Sequence, residues 1–569
     1  MRVLGISAYY HDSSAALLVD DTIVAAAQEE RFTRVKHDNS FPVNACRFCL
    51  QKAGLELSEI DVVVFYEKPF LKFERLLVSY ITSFPNSYKM FIKTMPIWLK
   101  DKLNMRRNIG KVLKAEFGYK PSNIKFVEHH LAHAAFAYCT SGFESSDIIV
   151  VDAVGEWATT SIFKANHNQI EVVSEERFPD SIGLLYSSFT QFLGFRVNSD
   201  EFKVMGLAPY GDHNSEETNR FIELITSRLV DVKDDGSINL NLQYFKFHYS
   251  DRMIPIGKWE ELFGIKSRIE GGEISQSHKN LAFAIQLITE NILYRLILSA
   301  NKNTSGDNLC LSGGVALNCA ANGFLLKKDS YKNIYVPFAP GDCGCSIGAA
   351  MAYSMLTTGK RHYSLTPYLG PEYSNSEIED VLQNYGVQFK KIDELDELCS
   401  EAARLIDKGN IIGWFQGRME VGPRALGNRS ILADARKSGM KDEVNSKIKF
   451  RESFRPFAPS VLAEYTGLVF NTHIESPYMM FTVPVKTDEL PAITHVDGTA
   501  RIQTVTKSEN PFYHRLLSAF YRLTGCPAIL NTSFNVMGEP IVCSPTDAID
   551  TFKKSGLDYL IIGNYIVRK

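Results

Sequence analysis

Residues Val3 to Phe32 read VLGISAYYHDSSAALLVDDTIVAAAQEERF, and residues Ile148 to Phe178 read IIVVDAVGEWATTSIFKANHNQIEVVSEERF. Each stretch runs from an apolar strand through a polar turn, a second strand, another polar turn and a third strand, and each ends in EERF. Gln28–Phe32 and Ser174–Phe178 align at an offset of 146 residues. An internal repeat of this kind governs the reading of the whole chain. Two such β-meanders, each followed by helices, predict a duplicated α/β core whose ligands lie in the cleft between the halves, at strand ends and turns.

The polar turns are therefore the first place to look for chemistry. The first holds His11 and Asp12; the second holds Asp152, Gly155 and Glu156. Just before the second meander, Glu128–Ala135 reads EHHLAHAA. If this run is helical, His129 and His133 are spaced i, i+4 and share a face, while His130 points elsewhere. The run lacks the glutamate of the HExxH zinc-protease pattern, so further ligands must come from other parts of the chain. Ala132, Ala134 and Ala135 leave room for close approach of other structure. Downstream, LCLSGGVALNCAANG carries a strand into Ser312, Gly313 and Gly314 and then a helix, a turn that lets backbone N–H groups approach a phosphate. In IYVPFAPGDCGCSIGAAMAY, Asp342 follows a strand and precedes an alanine-rich helix. His129, His133, Asp152 and Asp342 would form a mixed nitrogen and oxygen set for a divalent transition metal, brought together by the duplicated cleft.

The composition excludes little. The chain has 569 residues, 45% hydrophobic and 22% charged, with a net charge of -3. That length has room for several domains, and the charge gives no global reason to expect nucleic acid as a partner. No uninterrupted apolar run reaches the ~18 residues that span a bilayer, and MRVLGISAYY lacks the features of a signal peptide; a cytoplasmic protein is expected. Cys46 and Cys49 make a single CxxC among ten cysteines, so reduced, mostly buried thiols are expected.

Residues 357–376 are rich in glycine, proline and polar side chains and read as a linker. Beyond it, Arg418, Arg424 and Arg429 are followed by Lys447, Lys449, Arg451 and Arg455, and later by Arg501. These cations are interleaved with glycine, proline and apolar residues, as in RESFRPFAPSV, a poor composition for a solvated helix face. Converging guanidinium groups suit phosphate and carboxylate. LNTSFNVMGEPIV adds Asn531, Ser533 and Asn535, whose amides and hydroxyl offer both hydrogen-bond donors and acceptors.

HDSSAALL, EERFTRVKHD, HHLAHAA, VVDAVGE, LGFRVNSDEFKVMGLAPYG, LSGGVALN and PGDCGCSIGAA, with GRMEVGPRALGNRSILADAR, KFRESFRPFAPSV, ARIQTV and LNTSFNVMGEPIV, together resemble the O-carbamoyltransferases of the NodU/CmcH/TobZ type, in order and over nearly the whole chain. The resemblance implies an actin-like, TsaD-like transfer domain over residues 1–356, with 66–120 as a candidate variable insertion, and an α/β YrdC-like domain over 377–569. It implies that carbamoyl phosphate and ATP, the latter with Mg2+, form a carbamoyl-adenylate, and that the carbamoyl group passes to a hydroxyl of a small-molecule acceptor. It implies Fe(II) on His129, His133, Asp152 and Asp342, and places Lys36 near the intermediate. Ser312, Gly313, Gly314, Asn318, Arg418, Arg424, Lys449 and Arg451 are the expected nucleotide contacts. Arg455, Arg501, Asn531 and Ser533 are expected to hold carbamoyl phosphate, and Lys203 and Met205 to line the acceptor pocket. His11, in the first meander turn, is the candidate general base. DAVGEW departs from some relatives near Val154, which bears on acceptor fit, while Asp152 is retained. A homodimer is the family precedent, and neither nucleic acid nor membrane is an expected partner. A tRNA threonylcarbamoyl enzyme and a non-catalytic ATP-binding module are the rival readings; hydrogenase-maturation proteins carry several CxxC motifs where this chain has one.

Overall fold

In the computed structural model, which describes residues 1–304, 306–361 and 366–569, the two meanders build two sheets of one topology. The first contains β1 (Arg2–Ser7), β2 (Ser14–Val19), β3 (Thr22–Gln28), β4 (Val62–Phe65) and β5 (Ile124–Phe126), in the order β3-β2-β1-β4-β5. The second contains β6 (Ser145–Val151), β7 (Ala158–Asn166) and β8 (Gln169–Arg177). After a small hairpin of β9 (Val230–Val232) and β10 (Ile238–Leu240) it adds β11 (Asn308–Ser312) and β12 (Asn333–Tyr335), in the order β8-β7-β6-β11-β12. In both, the first two strands pair antiparallel and the fourth runs parallel to the first, with Val3 opposite Val62 and Leu309 opposite Asp147. The duplication thus rests on connectivity as well as on sequence, and gives the actin-like α/β fold. The EERF signatures are not equivalent, however. Glu30–Thr33 is a turn of helix, whereas Glu175–Arg177 ends the largely exposed edge strand β8.

The chain divides into two compact units: Met1–Val24 with Asn39–Leu365, and Ala25–Asp38 with Thr366–Lys569. The end of β3 and the segment after it therefore belong to the second unit. There Arg31 donates to the carbonyl of Gly422 (2.7 Å), and Arg34 to the carbonyls of Ile541 (2.6 Å) and Pro540 (2.9 Å). The expected linker over 357–376 lies in part outside the described residues.

In the first unit, helices His129–Ser141 and Cys345–Thr358 cross at close range. A Cβ on Gly348 would lie 1.9 Å from the carbonyl oxygen of Ala132, and one on Gly5 would lie 2.0 Å from that of Ser346. The alanines of EHHLAHAA serve this approach. Gly348→Ala is expected to force the helices apart and to destabilise the first unit by about 3 kcal/mol, the upper range for overpacking, read as a lowered midpoint in urea. Helix Gln276–Thr304 is the long central helix of the second half. By length and composition its residues Gln276–Lys302 are apolar enough to cross a membrane, although charges interrupt them; 61% of the qualifying window is buried inside the unit. Between β4 and β5 the chain inserts helices Pro69–Thr82, Tyr88–Ile97 and Met105–Phe117. The equivalent connection from β11 to β12 holds one two-turn helix, Cys319–Leu326.

The second unit is built on an eight-stranded mixed sheet: β13 (Phe389–Lys391), β14 (Ile412–Phe415), β15 (Arg429–Ala433), β16 (Ala458–Leu462), β19 (Gln503–Val505), β20 (Ala528–Ser533), β21 (Tyr559–Ile562) and β22 (Tyr565–Arg568). Its order is β13-β22-β21-β14-β15-β20-β16-β19, and β17 (Thr482–Pro484) pairs separately with β18 (Thr499–Arg501). Alternation along β14 explains its two cores. Ile412 and Trp414 pack with helices Leu395–Asp407 and Pro511–Thr524, while Phe415 faces helix Pro545–Lys554 through Ile549 and Phe552.

Candidate active site

Helix His129–Ser141 presents His129 and His133 on one face, as i, i+4 spacing requires. Their Nε2 atoms lie 3.2 Å apart. Asp152, at the end of β6, places Oδ2 3.2 Å from each of them. Asp342, in the turn before helix Cys345–Thr358, places Oδ1 3.6 Å from His129 Nε2 and 3.5 Å from His133 Nε2. Ser14 Oγ holds this turn by donating to the Cys343 carbonyl (2.9 Å) and to Ser346 Oγ (2.8 Å). Four donors about 2.0–2.2 Å from one ion in tetrahedral geometry stand roughly 3.3–3.6 Å apart. The observed separations therefore suit a single divalent cation, as does the mixed imidazole and carboxylate chemistry. Among the described residues, the Nδ1 atoms of His129 and His133 are buried without a hydrogen-bond partner, and both rings aim Nε2 at the shared centre. The residues present fit a metal ion.

Two contributions to this site are not evident from sequence spacing. Glu156 accepts from His129 N through both carboxylate oxygens (3.1 and 3.2 Å) and from Lys68 N (2.7 Å), so it satisfies the start of the histidine helix. Cys345 Sγ lies 3.4 Å from His133 Nε2 and shares a donor cluster with His129, His133 and Asp342. Burial pushes its thiol up to about 12, against the opposing pull of His133. His130 bonds Ser161 Oγ (2.7 Å) and is pushed by burial, and by the neighbouring His129, down to about 3. It is a neutral packing residue, in keeping with its place off the ligand face.

His11 sits at the edge of the cluster, with Nε2 3.8 Å from Asp342 Oδ2 and Nδ1 3.0 Å from Asp12 Oδ2. Burial opposes its protonation, but Asp342 and then Asp12 outweigh burial and push it up to about 9. Burial likewise pulls His133 down, and Cys345 and the two carboxylates carry it well above its ordinary value. Burial would raise Asp152, yet hydrogen bonds from His129 and His133 hold it well below the carboxylate range. The metal-free cluster therefore holds protons at neutral pH that a cation must displace. Affinity for a divalent probe such as Mn2+ is expected to rise with pH up to about 9, where His11 surrenders its proton, and to fall in acid. Calorimetric titration across that range, with proton release read from buffers of different ionisation enthalpy, checks the sign.

The glycine turn after β11 abuts this centre. Gly313 adopts φ +87°, and a Cβ there would meet the Val151 carbonyl oxygen at 2.2 Å; a Cβ on Gly314 would lie 3.1 Å from Asp152 Oδ1. The side chains expected to help a nucleotide bind here are already engaged. Ser312 is buried with Oγ 3.4 Å from the Pro340 carbonyl. Asn318 caps helix Cys319–Leu326 at Ala321 N (3.0 Å) and bonds Gln286 through Oδ1 (3.1 Å) and Nδ2 (2.9 Å). The Gly313 N–H is likewise engaged, by the Pro340 carbonyl (2.9 Å). Met205 Sδ lies 3.7 Å from Cys319 Sγ, next to this segment, and Lys203 pairs with Asp200 at 3.1 Å.

In the second unit the expected cations separate into two groups. Lys449, Arg451, Arg455, Arg501 and Lys36 form one electrostatic cluster. Burial, then Arg451, Arg455 and Lys36, press Lys449 well below its ordinary value; burial, then Arg455 and Arg501, do the same to Arg451. Lys449 Nζ is nonetheless wrapped by oxygens of Ser533 and Asn535, at 2.5–3.3 Å, which favour the ammonium form. Among the described residues, Arg501 Nε is buried without a hydrogen-bond partner. Crowded cations of this kind are a ready anion site. Arg429 is a correction to its expected place among them. It is fully buried against the Phe415 ring (3.6 Å) and spends its guanidinium on the carbonyls of Gln416, Gly417, Asn428 and Pro371. Arg418 similarly donates to the carbonyls of Leu369 (2.7 Å) and Gly370 (3.4 Å). Arg424 rides on a loop gathered by Glu420, whose Oε1 accepts from the backbone of Leu426, Asn428 and Arg429. Asn531 is buried, and its Nδ2 donates to the Ala425 carbonyl, Ser460 Oγ and Gln503 Oε1. Its Oδ1 has no partner among the described residues.

All ten cysteines are free thiols, nine of them buried.

A duplicated actin-like unit with a buried imidazole–carboxylate centre, followed by an α/β unit with an anion-attracting cluster, belongs to the class of group-transfer enzymes. The chain is a member of the carbamoyltransferase family: residues 2–351 match the carbamoyltransferase N-terminus and residues 403–569 the carbamoyltransferase C-terminus. It is 45% identical to an uncharacterized protein of Synechocystis sp., over 100% of this chain and 96% of the relative. It is 38% identical to nodulation protein NolNO of Sinorhizobium fredii, over 99% and 80% of the two chains. With the 3'-hydroxymethylcephem-O-carbamoyltransferase of Amycolatopsis lactamdurans it shares 31% identity over 68% of each chain.

Proposed function

We propose that the protein is a cytoplasmic, ATP-dependent O-carbamoyltransferase that works in two half-reactions. In the first, water cleaves carbamoyl phosphate to carbamate and phosphate, and a carbamate oxygen attacks the α-phosphorus of ATP, releasing pyrophosphate and leaving a carbamoyl-adenylate. In the second, an acceptor hydroxyl oxygen attacks the carbamoyl carbon and AMP leaves. The observation that carries this reading is the presence of two chemically different centres in a carbamoyltransferase chain: a cation cluster in the second unit and a buried imidazole–carboxylate centre in the first. Phosphates and carboxylate suit the first kind of site, and a transfer to oxygen suits the second.

Arg451, Arg455, Arg501 and Lys449 would neutralise ATP and carbamoyl phosphate, with Lys36 close enough to act on the same charges. ATP would carry Mg2+. In the first unit, His129, His133, Asp152 and Asp342 would hold a divalent metal, Fe(II) by family resemblance. Such an ion supplies Lewis-acid polarisation of an oxygen when bound. His11 lies where it would take the proton of the acceptor hydroxyl, and neutralisation of Asp342 by a cation would remove the main charge that now holds His11 protonated. The enclosed setting would protect the adenylate from water. The 3'-hydroxymethylcephem-O-carbamoyltransferase relative supports a small-molecule hydroxyl acceptor, and family resemblance suggests a glycan or secondary-metabolite type and a homodimer.

The test is incubation of the full chain with ATP, Mg2+ and carbamoyl phosphate. Pyrophosphate released only when all three are present is the expected result. Release independent of carbamoyl phosphate, or none in metal-replete protein, overturns the reading.

A further inference from the structure

The helices inserted between β4 and β5 leave an apolar surface that neither the fold nor the reaction uses. Phe70 (71% exposed), Ile81 (64%) and Phe84 (69%) project from and just beyond helix Pro69–Thr82, and Tyr88, Ile92 and Leu99 project from the next helix and its extension. The two helices satisfy each other by other faces. Tyr80 meets Phe91, Phe73 meets Trp98, and Thr94 Oγ1 bonds Tyr80 Oη at 3.1 Å. The exposed residues are therefore left over after packing. They also follow helical stripes: Phe70 and Ile81 are separated by eleven residues, three turns, and Tyr88, Ile92 and Leu99 fall at i, i+4 and i+11.

Charge says what covers this surface. Residues 66–120 contain twelve Lys and Arg against four Asp and Glu, an excess of +8 in a chain whose total is -3. Lys89, Lys93 and Lys100 are exposed and flank the second stripe at helical spacing, and Arg106, Arg107 and Lys111 are exposed on the following helix. Lys93 has a surface ion pair with Asp251 at 3.9 Å, a contact that a stronger anion displaces at little cost. An apolar stripe bordered by basic residues is the pattern of a helix lying in a membrane interface. A second copy of the chain would set +8 against +8, so self-association through this face is disfavoured.

We propose that the helical insertion at residues 69–111 docks the protein on the surface of an anionic phospholipid bilayer, contrary to the sequence-based expectation of no membrane partner. The apolar residues enter the headgroup boundary and the lysines and arginines meet the lipid phosphates. No helix crosses the bilayer in this arrangement, and the reacting centre at His129 and His133 is on other elements.

Cosedimentation of the full chain with vesicles tests it, using phosphatidylcholine alone and an equal mixture of phosphatidylcholine and phosphatidylglycerol. Binding to the mixed vesicles only, weakened by added salt, is expected. Each basic residue at an anionic surface contributes roughly a fivefold factor in partitioning, so Lys89→Glu/Lys93→Glu/Lys100→Glu should weaken binding by at least ~100-fold. Ile81→Ser/Phe84→Ser/Ile92→Ser should abolish binding. These side chains are on the surface, and an unchanged urea unfolding midpoint of the first unit reports an intact fold; the lysine variant stands alone if the apolar one fails to fold. Equal binding to both vesicles, or no binding to either, overturns the proposal. So does a dimer by light scattering that the apolar variant converts to monomer, which would make the face a self-interface.

Discussion

Arg501→Ala is expected to stop pyrophosphate release from ATP and carbamoyl phosphate, while the same variant still carbamoylates acceptor from supplied carbamoyl-adenylate. His11→Ala is expected to do the reverse. The reasoning starts from placement. Arg501 acts on Arg451 within the cation cluster of the second unit, and His11 lies 3.8 Å from Asp342 in the first. A charge-assisted hydrogen bond to an anion is worth about 1.5–3 kcal/mol, so loss of a guanidinium that makes two of them costs roughly 10² or more in rate. Removal of a general base costs about 10²–10⁴. A pyrophosphate assay beside mass spectrometry of the acceptor, on both variants, separates the two. Loss of both half-reactions in each folded variant would replace the two sites with one composite site.

The double substitution His129→Ala/His133→Ala is expected to have the largest effect on transfer. It removes two of four donors from the centre and leaves Asp152 and Asp342 as a buried pair of like charges without the imidazoles that hydrogen-bond them. Acceptor carbamoylation should fall by at least ~10³, since both the cation and the group that orients the carboxylates are lost. Pyrophosphate release should persist, because the cation cluster is untouched. Truncating buried side chains costs roughly 2–5 kcal/mol each in unfavourable cases. An unshifted urea unfolding midpoint of the first unit is therefore the check on folding. Undiminished carbamoylation would remove the centre from the mechanism.

The duplicated architecture was legible because a β-meander writes itself in period-2 apolar runs and polar turns, twice over. The EERF signature, which strengthened that reading, marks different structures: Arg31 and its neighbours fold with the second unit, while Arg177 ends an exposed strand. Nothing in local pattern says that Arg31 and Arg34 will bond carbonyls beyond residue 420. His129 and His133 could be paired from helical spacing, and Asp152 and Asp342 from their places after strands. Cys345 could not be added, because its approach to His133 depends on the crossing of two helices at Ala132 and Gly348. Glu156 was visible as a turn carboxylate but not as the group that satisfies the histidine helix. Among the arginines, composition does not distinguish Arg429, whose Nη1 and Nη2 are taken up by backbone carbonyls, from Arg501, which joins the cation cluster around Arg451. The difference is set by which loop folds over each guanidinium.

The central claim is that the two halves of the first unit jointly build a metal centre for carbamoyl transfer. Anomalous X-ray diffraction from crystals of anaerobically purified protein, collected on both sides of the iron absorption edge, tests it most directly. One strong peak per chain is expected, about 2.0–2.3 Å from His129 Nε2, His133 Nε2 and a carboxylate oxygen each of Asp152 and Asp342. A metal-replete crystal with no peak among these four side chains, or with its peak elsewhere in the chain, would contradict it.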